Sequence, residues 1–167
     1  MKEIELTQCY KTIVDDEDFE YLSQWKWCAR VKPDGRVLAV RAERIKGTSD
    51  SKRNFQMHRV ITKAPDGLVV DHINGNPLDN RKENLRLCTI QQNSMNRKTQ
   101  LSSKFRSQYK GVGWCKIRKK YFARVYLNGK AYMAGRYDTE IEAALAYNKK
   151  ALDLHGEYAK LNVIEED

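Results

Sequence analysis

With 167 residues, 41% apolar and 32% charged, the chain has room for one ordinary domain or two small ones, and not for a large multidomain enzyme. It carries 31 Lys and Arg against 22 Asp and Glu, a formal charge of +9, and no apolar run approaches the roughly 18 residues that a membrane helix requires. The four cysteines (Cys9, Cys28, Cys88 and Cys115) are isolated and form no Cys-x-x-Cys pair, which argues against a zinc knuckle or a redox pair. No structural zinc is therefore expected. Acids in Met1–Glu5 stand where an export leader carries bases, so the expected location is cytoplasmic.

The first fifty residues read as a small β-rich unit. Asp15–Asp18 opens a short helix through Leu22, its acids favouring the positive helix end. Trp25–Ala29 alternates like a strand, Pro33-Asp34-Gly35 is a turn, and Val37–Arg44 is the returning strand. Nothing in this stretch has a catalytic pattern. Gly67–Val70 then forms a short apolar strand ending at Asp71-His72. A loop rich in Asn and Gly, Asn74–Asn80, separates it from a second strand, Asn84–Cys88. In this loop Asn74, Asn76 and Asn80 read as turn chemistry, their side chains bonding nearby backbone. Thr89 with Gln92 is a capping box that starts a helix running through Arg97. Residues 97–108 form a basic tether able to span about 40 Å. Three strands follow, near 111–116, 120–127 and 130–137, with a basic turn at 117–119 and Asn128-Gly129 as a hairpin signal. Thr139 with Glu142 caps a long helix through Leu154, and Gly156 supplies its C-cap.

Charge is uneven along this order. Segment 1–54 is nearly neutral, whereas no Asp or Glu occurs between Glu83 and Asp138, a span holding thirteen Lys or Arg. Aromatics interleave with these bases: Tyr109, Trp114, Tyr121, Phe122, Tyr126 and Tyr132. A solvated face mixes both signs, so the run points to a polyanion, and without a helical apolar stripe nucleic acid fits better than a membrane surface.

The strand–loop–strand–helix stretch offers what phosphodiester hydrolysis needs. Asp71 is a hard oxygen ligand for a divalent cation, and Asn93 supplies a second through its amide oxygen. His72, with an ordinary pKa near 6.5, is a general base at neutral pH. Asn93 sits about one turn into the helix, where Asn has poor propensity, which suggests a role other than folding. Successive strand residues point to opposite faces, so Asp71 and His72 share one phosphate only where the strand ends or twists. His58 and Arg59 are either a packed or phosphate-binding pair or residues without a role.

Met57-His58-Arg59, Val69–Asn76, Asp79–Arg86, Thr89 and Asn93–Asn96 together resemble the HNH nucleases, the phage and intron homing endonucleases in particular. The resemblance implies a ββα-metal (His-Me finger) unit with one divalent ion, Mg2+ or else Mn2+. It makes Asp71 and Asn93 the metal ligands, His72 the base that deprotonates water, and Asn84 the residue that helps hold His72. Many relatives carry a histidine where this chain has Asn93, and an amide oxygen favours a harder ion.

Tyr109–Val112, Phe122–Val125, Asn128–Lys130, Gly135–Thr139, Glu142–Tyr147 and Leu161-Asn162 resemble the DNA-binding domain of the ethylene-response-factor (APETALA-type) proteins. The resemblance implies a three-stranded sheet laid in the major groove. By period-two geometry Tyr121, Ala123 and Val125 face the helix and leave Phe122, Arg124 and Tyr126 toward DNA. Arg118, Lys119 and Lys120 suit phosphate contact; Arg97, Lys98, Lys130, Met133 and Arg136 complete the expected contact set. Met133 replaces a reading Trp and Gly113 an Arg, so the family's base preference does not transfer. Trp114 is either a core anchor or a reader.

The sequence thus predicts an α+β protein in four parts: a β-rich unit at 1–54, an HNH unit at 55–97, a basic linker at 98–108 and a DNA-binding domain at 109–167. The expected function is metal-dependent hydrolysis of double-stranded DNA by a homing-type endonuclease, with neither a membrane nor a small molecule as partner. The alternatives are a non-catalytic DNA-binding regulator with a vestigial HNH fold and an RNA-directed nuclease.

Overall fold

The computed structural model describes residues 1–44, 52–96 and 107–164. The chain forms two compact units, Met1–Ile90 and Gln91–Asp167. Both mix helices with small antiparallel sheets, an α+β arrangement.

In the first unit β1 (Lys2–Glu5) and β2 (Lys11–Val14) form a hairpin. It is followed by α1 (Asp16–Leu22), whose first turn holds Asp16, Glu17 and Asp18. A sheet of β3 (Cys28–Val31), β4 (Val37–Arg44) and β5 (Lys52–Gln56) comes next, with β4 in the middle. The turn between β3 and β4 uses Gly35 at φ +80°, a conformation that glycine adopts at no steric cost. The strand expected at Trp25–Ala29 starts only at Cys28. The residues before it wrap the end of α1: Trp25 N–H and the Trp27 indole N–H both donate to the Leu22 carbonyl, and Trp27 is buried. A buried indole needs a partner for its N–H, and the helix end provides an orphan carbonyl, so capping wins over strand pairing here.

The expected boundary at 54/55 falls inside β5, and β5 leads directly into α2 (Met57–Thr62). Met57 packs in one core with Ile4, Leu6, Val14, Leu22, Trp27, Ala29, Val37 and Ala39. Lys63 closes α2 in the left-handed region, at φ +48°. A second hairpin pairs β6 (Val69–His72) with β7 (Leu85–Cys88), and α3 (Ile90–Met95) follows. This helix is shorter than expected, ending at Met95; residue 97 lies outside the described residues.

The second unit is a sheet ordered β10–β9–β8, from β8 (Val112–Cys115), β9 (Lys120–Leu127) and β10 (Lys130–Tyr137), packed against α4 (Glu140–His155). Asn128 and Gly129, at φ +53° and +75°, make the two-residue turn that matches strand twist. Thr139 and Glu142 form the reciprocal capping box of α4, and Gly156 its C-cap. Val112, Ala123, Val125, Ala143, Ala144, Tyr147 and Ala151 make the core, the alanines letting helix and sheet approach closely. Gly111 has φ +74°, and a Cβ there would lie 2.2 Å from the Tyr147 ring and 2.6 Å from the Arg124 carbonyl oxygen.

Candidate active site

The β6–β7 hairpin sets the geometry of the first unit's polar cluster. Asp71 and His72 are the last two residues of β6, 5% and 8% exposed. Both residues are in register with β7, Asp71 opposite Arg86 and His72 opposite Leu85, so the strand's alternation runs through the pair.

Asp71 lies directly opposite Arg86 on β7, and its Oδ2 accepts from Arg86 Nη2 at 2.7 Å and Nε at 3.0 Å. The carboxylate is thus held in one orientation and balanced by a guanidinium. His72 Nε2 lies 3.2 Å from Asn80 Oδ1. The ring of His58, on α2, meets the His72 ring edge to face, with centroids 5.2 Å apart. Burial holds the His72 pKa below its ordinary 6.5, against the opposing pull of Asn80, Asp71 and Asp79. His58 is pushed down to about 3, by burial first and then by its neighbours His72 and Arg59. Both imidazoles are accordingly neutral at pH 7, the form in which one can accept a proton.

The loop from 74 to 84 is built by side-chain bonds. Asn74 Oδ1 accepts from Asn76 N–H at 2.8 Å and Asn76 Oδ1 from Leu78 N–H at 3.1 Å, the turn chemistry expected of both. Asn84 is buried; its Oδ1 accepts from Asn74 N–H at 2.9 Å and its Nδ2 donates to the Asp79 carbonyl at 2.8 Å. Its own carbonyl accepts from Ile73 N–H at 2.9 Å. These bonds tie both ends of the loop together directly after His72. Arg81 donates twice to Asp79 at 2.8 Å and holds that carboxyl below the usual carboxylate range.

Asn80 departs from the turn role expected of it. Its side chain points inward, 1% exposed, between His72 and Thr12 of β2. The sequence carries no local sign of this, since Thr12 and Asn80 are 68 residues apart. Arg59 has a structural role as well. Its guanidinium donates to the carbonyls of Ala64, Pro65 and Leu68 and ties down the segment after α2. Asn93 stands half-buried on α3, in the second compact unit, whereas Asp71 belongs to the first.

In the second unit the register sorts the basic residues. Arg136 lies opposite Phe122 and Met133 opposite Arg124, so these four share the sheet face turned away from α4, together with Tyr126. The Arg124 guanidinium stacks 5.0 Å from the Phe122 ring centroid and 5.4 Å from that of Tyr126. Lys130 pairs with Leu127 and so stands on the helix side of the sheet, exposed at the hairpin end. Arg118 and Lys119 are exposed in the turn before β9, and Lys120 pairs with Asp138 at 3.1 Å. Trp114 packs edge to face on Tyr121, centroids 4.7 Å apart, on the side of the core. Arg97 and Lys98 lie outside the described residues.

Comparison with known proteins meets this geometry at the hairpin. Residues 56–95 match the family model described as HNH endonuclease. The chain is 41% identical over 118 residues to an uncharacterized HNH endonuclease of Acanthamoeba polyphaga mimivirus, a match covering 66% of this chain and 59% of that relative's length. It is 36% identical over 96 residues to Protein 3.8 of Escherichia phage T7, covering 58% of this chain and 77% of the relative. No described helix is long and apolar enough to cross a membrane.

Proposed function

The chain belongs to one family with Protein 3.8 of phage T7 and carries an HNH endonuclease domain, and from that premise we propose that it is a metal-dependent endonuclease that hydrolyses duplex DNA, of the homing type. The observation that carries the reading is the pairing of a buried, guanidinium-balanced Asp71 with a buried neutral His72 at one strand end, inside the segment that matches the HNH model.

The donors suit a divalent cation. Asp71 offers a carboxylate oxygen, a hard donor of the kind magnesium accepts because it keeps much of its own water; the Asn93 carboxamide is the second donor that the HNH resemblance implies. Arg86 already holds one oxygen of that carboxylate, Oδ2, so a cation there would share Asp71 with the guanidinium. A cation bound there would neutralise the phosphoryl oxygens and the departing 3′-oxygen. His72 takes the proton of the attacking water; this needs the neutral ring that burial maintains. Asn84 acts on the loop that follows His72, and through it fixes where the ring stands. The products of such a displacement are 5′-phosphate and 3′-hydroxyl ends.

The second unit supplies the grip. A sheet face bearing Phe122, Arg124, Tyr126, Met133 and Arg136, with exposed Arg118 and Lys119 at its edge, has the mixture of cation and apolar surface that suits a DNA groove. This supports the ethylene-response-factor-like reading of that unit and a duplex as its ligand.

The test is incubation of the full chain with supercoiled plasmid and Mg2+, with and without excess EDTA, alongside Asp71→Asn. Nicking or linearisation that requires the cation and is lost in Asp71→Asn supports the reading. Binding of the plasmid with no cleavage in any condition would leave the regulator alternative.

A further inference from the structure

We propose that Thr12, on the N-terminal hairpin, is a positioning residue for His72: acting through Asn80, it fixes the imidazole as the Nε2–H tautomer and leaves the base's lone pair on Nδ1. Its consequence for cleavage rests on the nuclease reading; the tautomer itself does not.

The direction of three hydrogen bonds decides the assignment. Thr12 Oγ1 lies 2.8 Å from the Leu78 carbonyl oxygen, which can only accept, so the single hydroxyl proton is committed there. The same Oγ1 lies 2.7 Å from the Asn80 amide and must therefore accept from its Nδ2. Turning the amide round would set two oxygens against each other at that distance. Asn80 Oδ1 is consequently the atom facing His72 Nε2 at 3.2 Å, and Nε2 must carry the proton. The chain of bonds runs carbonyl, hydroxyl, amide, imidazole, and only one polarity satisfies every member.

The surroundings make that polarity hard to escape. Thr12 is 0% exposed, so water cannot replace its hydroxyl as the amide's acceptor. The backbone clamps the same two segments together: Ile13 N–H donates to the Leu78 carbonyl and Asn80 N–H to the Ile13 carbonyl, both at 2.8 Å. Beyond them, Asp15 accepts from Lys82 N–H at 2.7 Å. The His58 ring lies against His72 and hinders the ring flip that would exchange its nitrogens. A Val at position 12 would fill the same volume on a β-strand, so the hydroxyl is what distinguishes the residue. The N-terminal hairpin is thereby part of the nuclease machinery rather than an appended domain.

The test is long-range 1H–15N correlation NMR of the full chain at a pH where His72 is neutral, on wild type, Thr12→Ser, Thr12→Val and Asn80→Ala. Wild type and Thr12→Ser are expected to show Nε2 protonated and Nδ1 unprotonated. Thr12→Val and Asn80→Ala should show a mixture of tautomers. In plasmid cleavage Thr12→Val should lose about 10- to 100-fold in turnover, the usual scale for outer-shell partners, with DNA affinity unchanged and Thr12→Ser restoring the rate. A wild-type spectrum with Nδ1 protonated, or a folded Thr12→Val with the wild-type pattern, overturns the proposal. A wild type with the expected tautomer that cuts no DNA upholds the relay and removes the nuclease reading instead.

Discussion

His58 and His72 share one buried pocket, and their protonation couples that pocket to pH. The His58 pKa is about 3 in the folded chain, against about 6.5 when unfolded. Between these values the unfolded state binds the proton and the folded state does not, so stability falls as pH drops from 6.5 toward 3 and is flat above. The slope approaches about 1.4 kcal/mol per pH unit for one such proton, and His72, shifted in the same direction, adds to it. Melting temperatures measured between pH 7.5 and 4.5 should therefore decline on acidification, and His58→Gln should decline less steeply than wild type. Equal slopes would show that His58 is not held neutral. At this scale the sequence displayed Asp71 and His72 well, because a carboxylate and an imidazole before an Asn-rich loop are unusual neighbours. Thr12 and Asn80 were hidden. A buried threonine looks like any strand residue, and an asparagine in a loop full of them looks like another turn.

Local rules determine the elements of the second unit, which is why its strands β9 and β10 begin and end where alternation and Asn128-Gly129 place them. The capping box of α4 was equally visible, since Thr139 and Glu142 are three residues apart. The hairpin β1–β2, strand β5 and helix α2 were not anticipated. They are short; the hairpin and α2 pack on a common core around Trp27 and Met57 and β5 pairs with β4, long-range contacts that have no signature in a sequence window. Trp25–Ala29 misled for the same reason: alternation suggested pairing, but the carbonyl of Leu22 at the helix end captured the chain. Gly111 gives the sharpest test of element packing. Its φ of +74°, and a Tyr147 ring 2.2 Å from where a Cβ would stand, leave no space for a side chain. Gly111→Ala should destabilise the second unit by about 2 kcal/mol or more, from strain and overpacking together, whereas Thr139→Ala should cost about 1 kcal/mol. Hydrogen exchange of the α4 amides across a denaturant series checks both, and a Gly111→Ala as stable as wild type would contradict the packing described.

For the molecule as a whole, the proposed reading divides labour: the first unit carries the buried Asp71 and His72, the second a cationic and aromatic sheet face. Arg124→Ala should weaken duplex binding by roughly 1–3 kcal/mol and reduce its salt dependence, while the affinity for Mg2+ stays at the wild-type value. Fluorescence anisotropy across a salt series measures the first, and calorimetric titration of the cation the second; a loss of cation affinity in that variant would contradict the division. Charge patterning announced this half early, through the acid-free stretch from Glu83 to Asp138. What it left open was the work of the N-terminal fifty residues, which lies in contacts with the loop at 78–82. The most direct test of the central claim is single-turnover cleavage of duplex DNA by wild type and His72→Ala, with DNA affinity measured in parallel. The expected result is equal binding and a loss of about 10²- to 10⁴-fold in rate, the range that a positioned general base supplies; equal rates at equal affinity would contradict it.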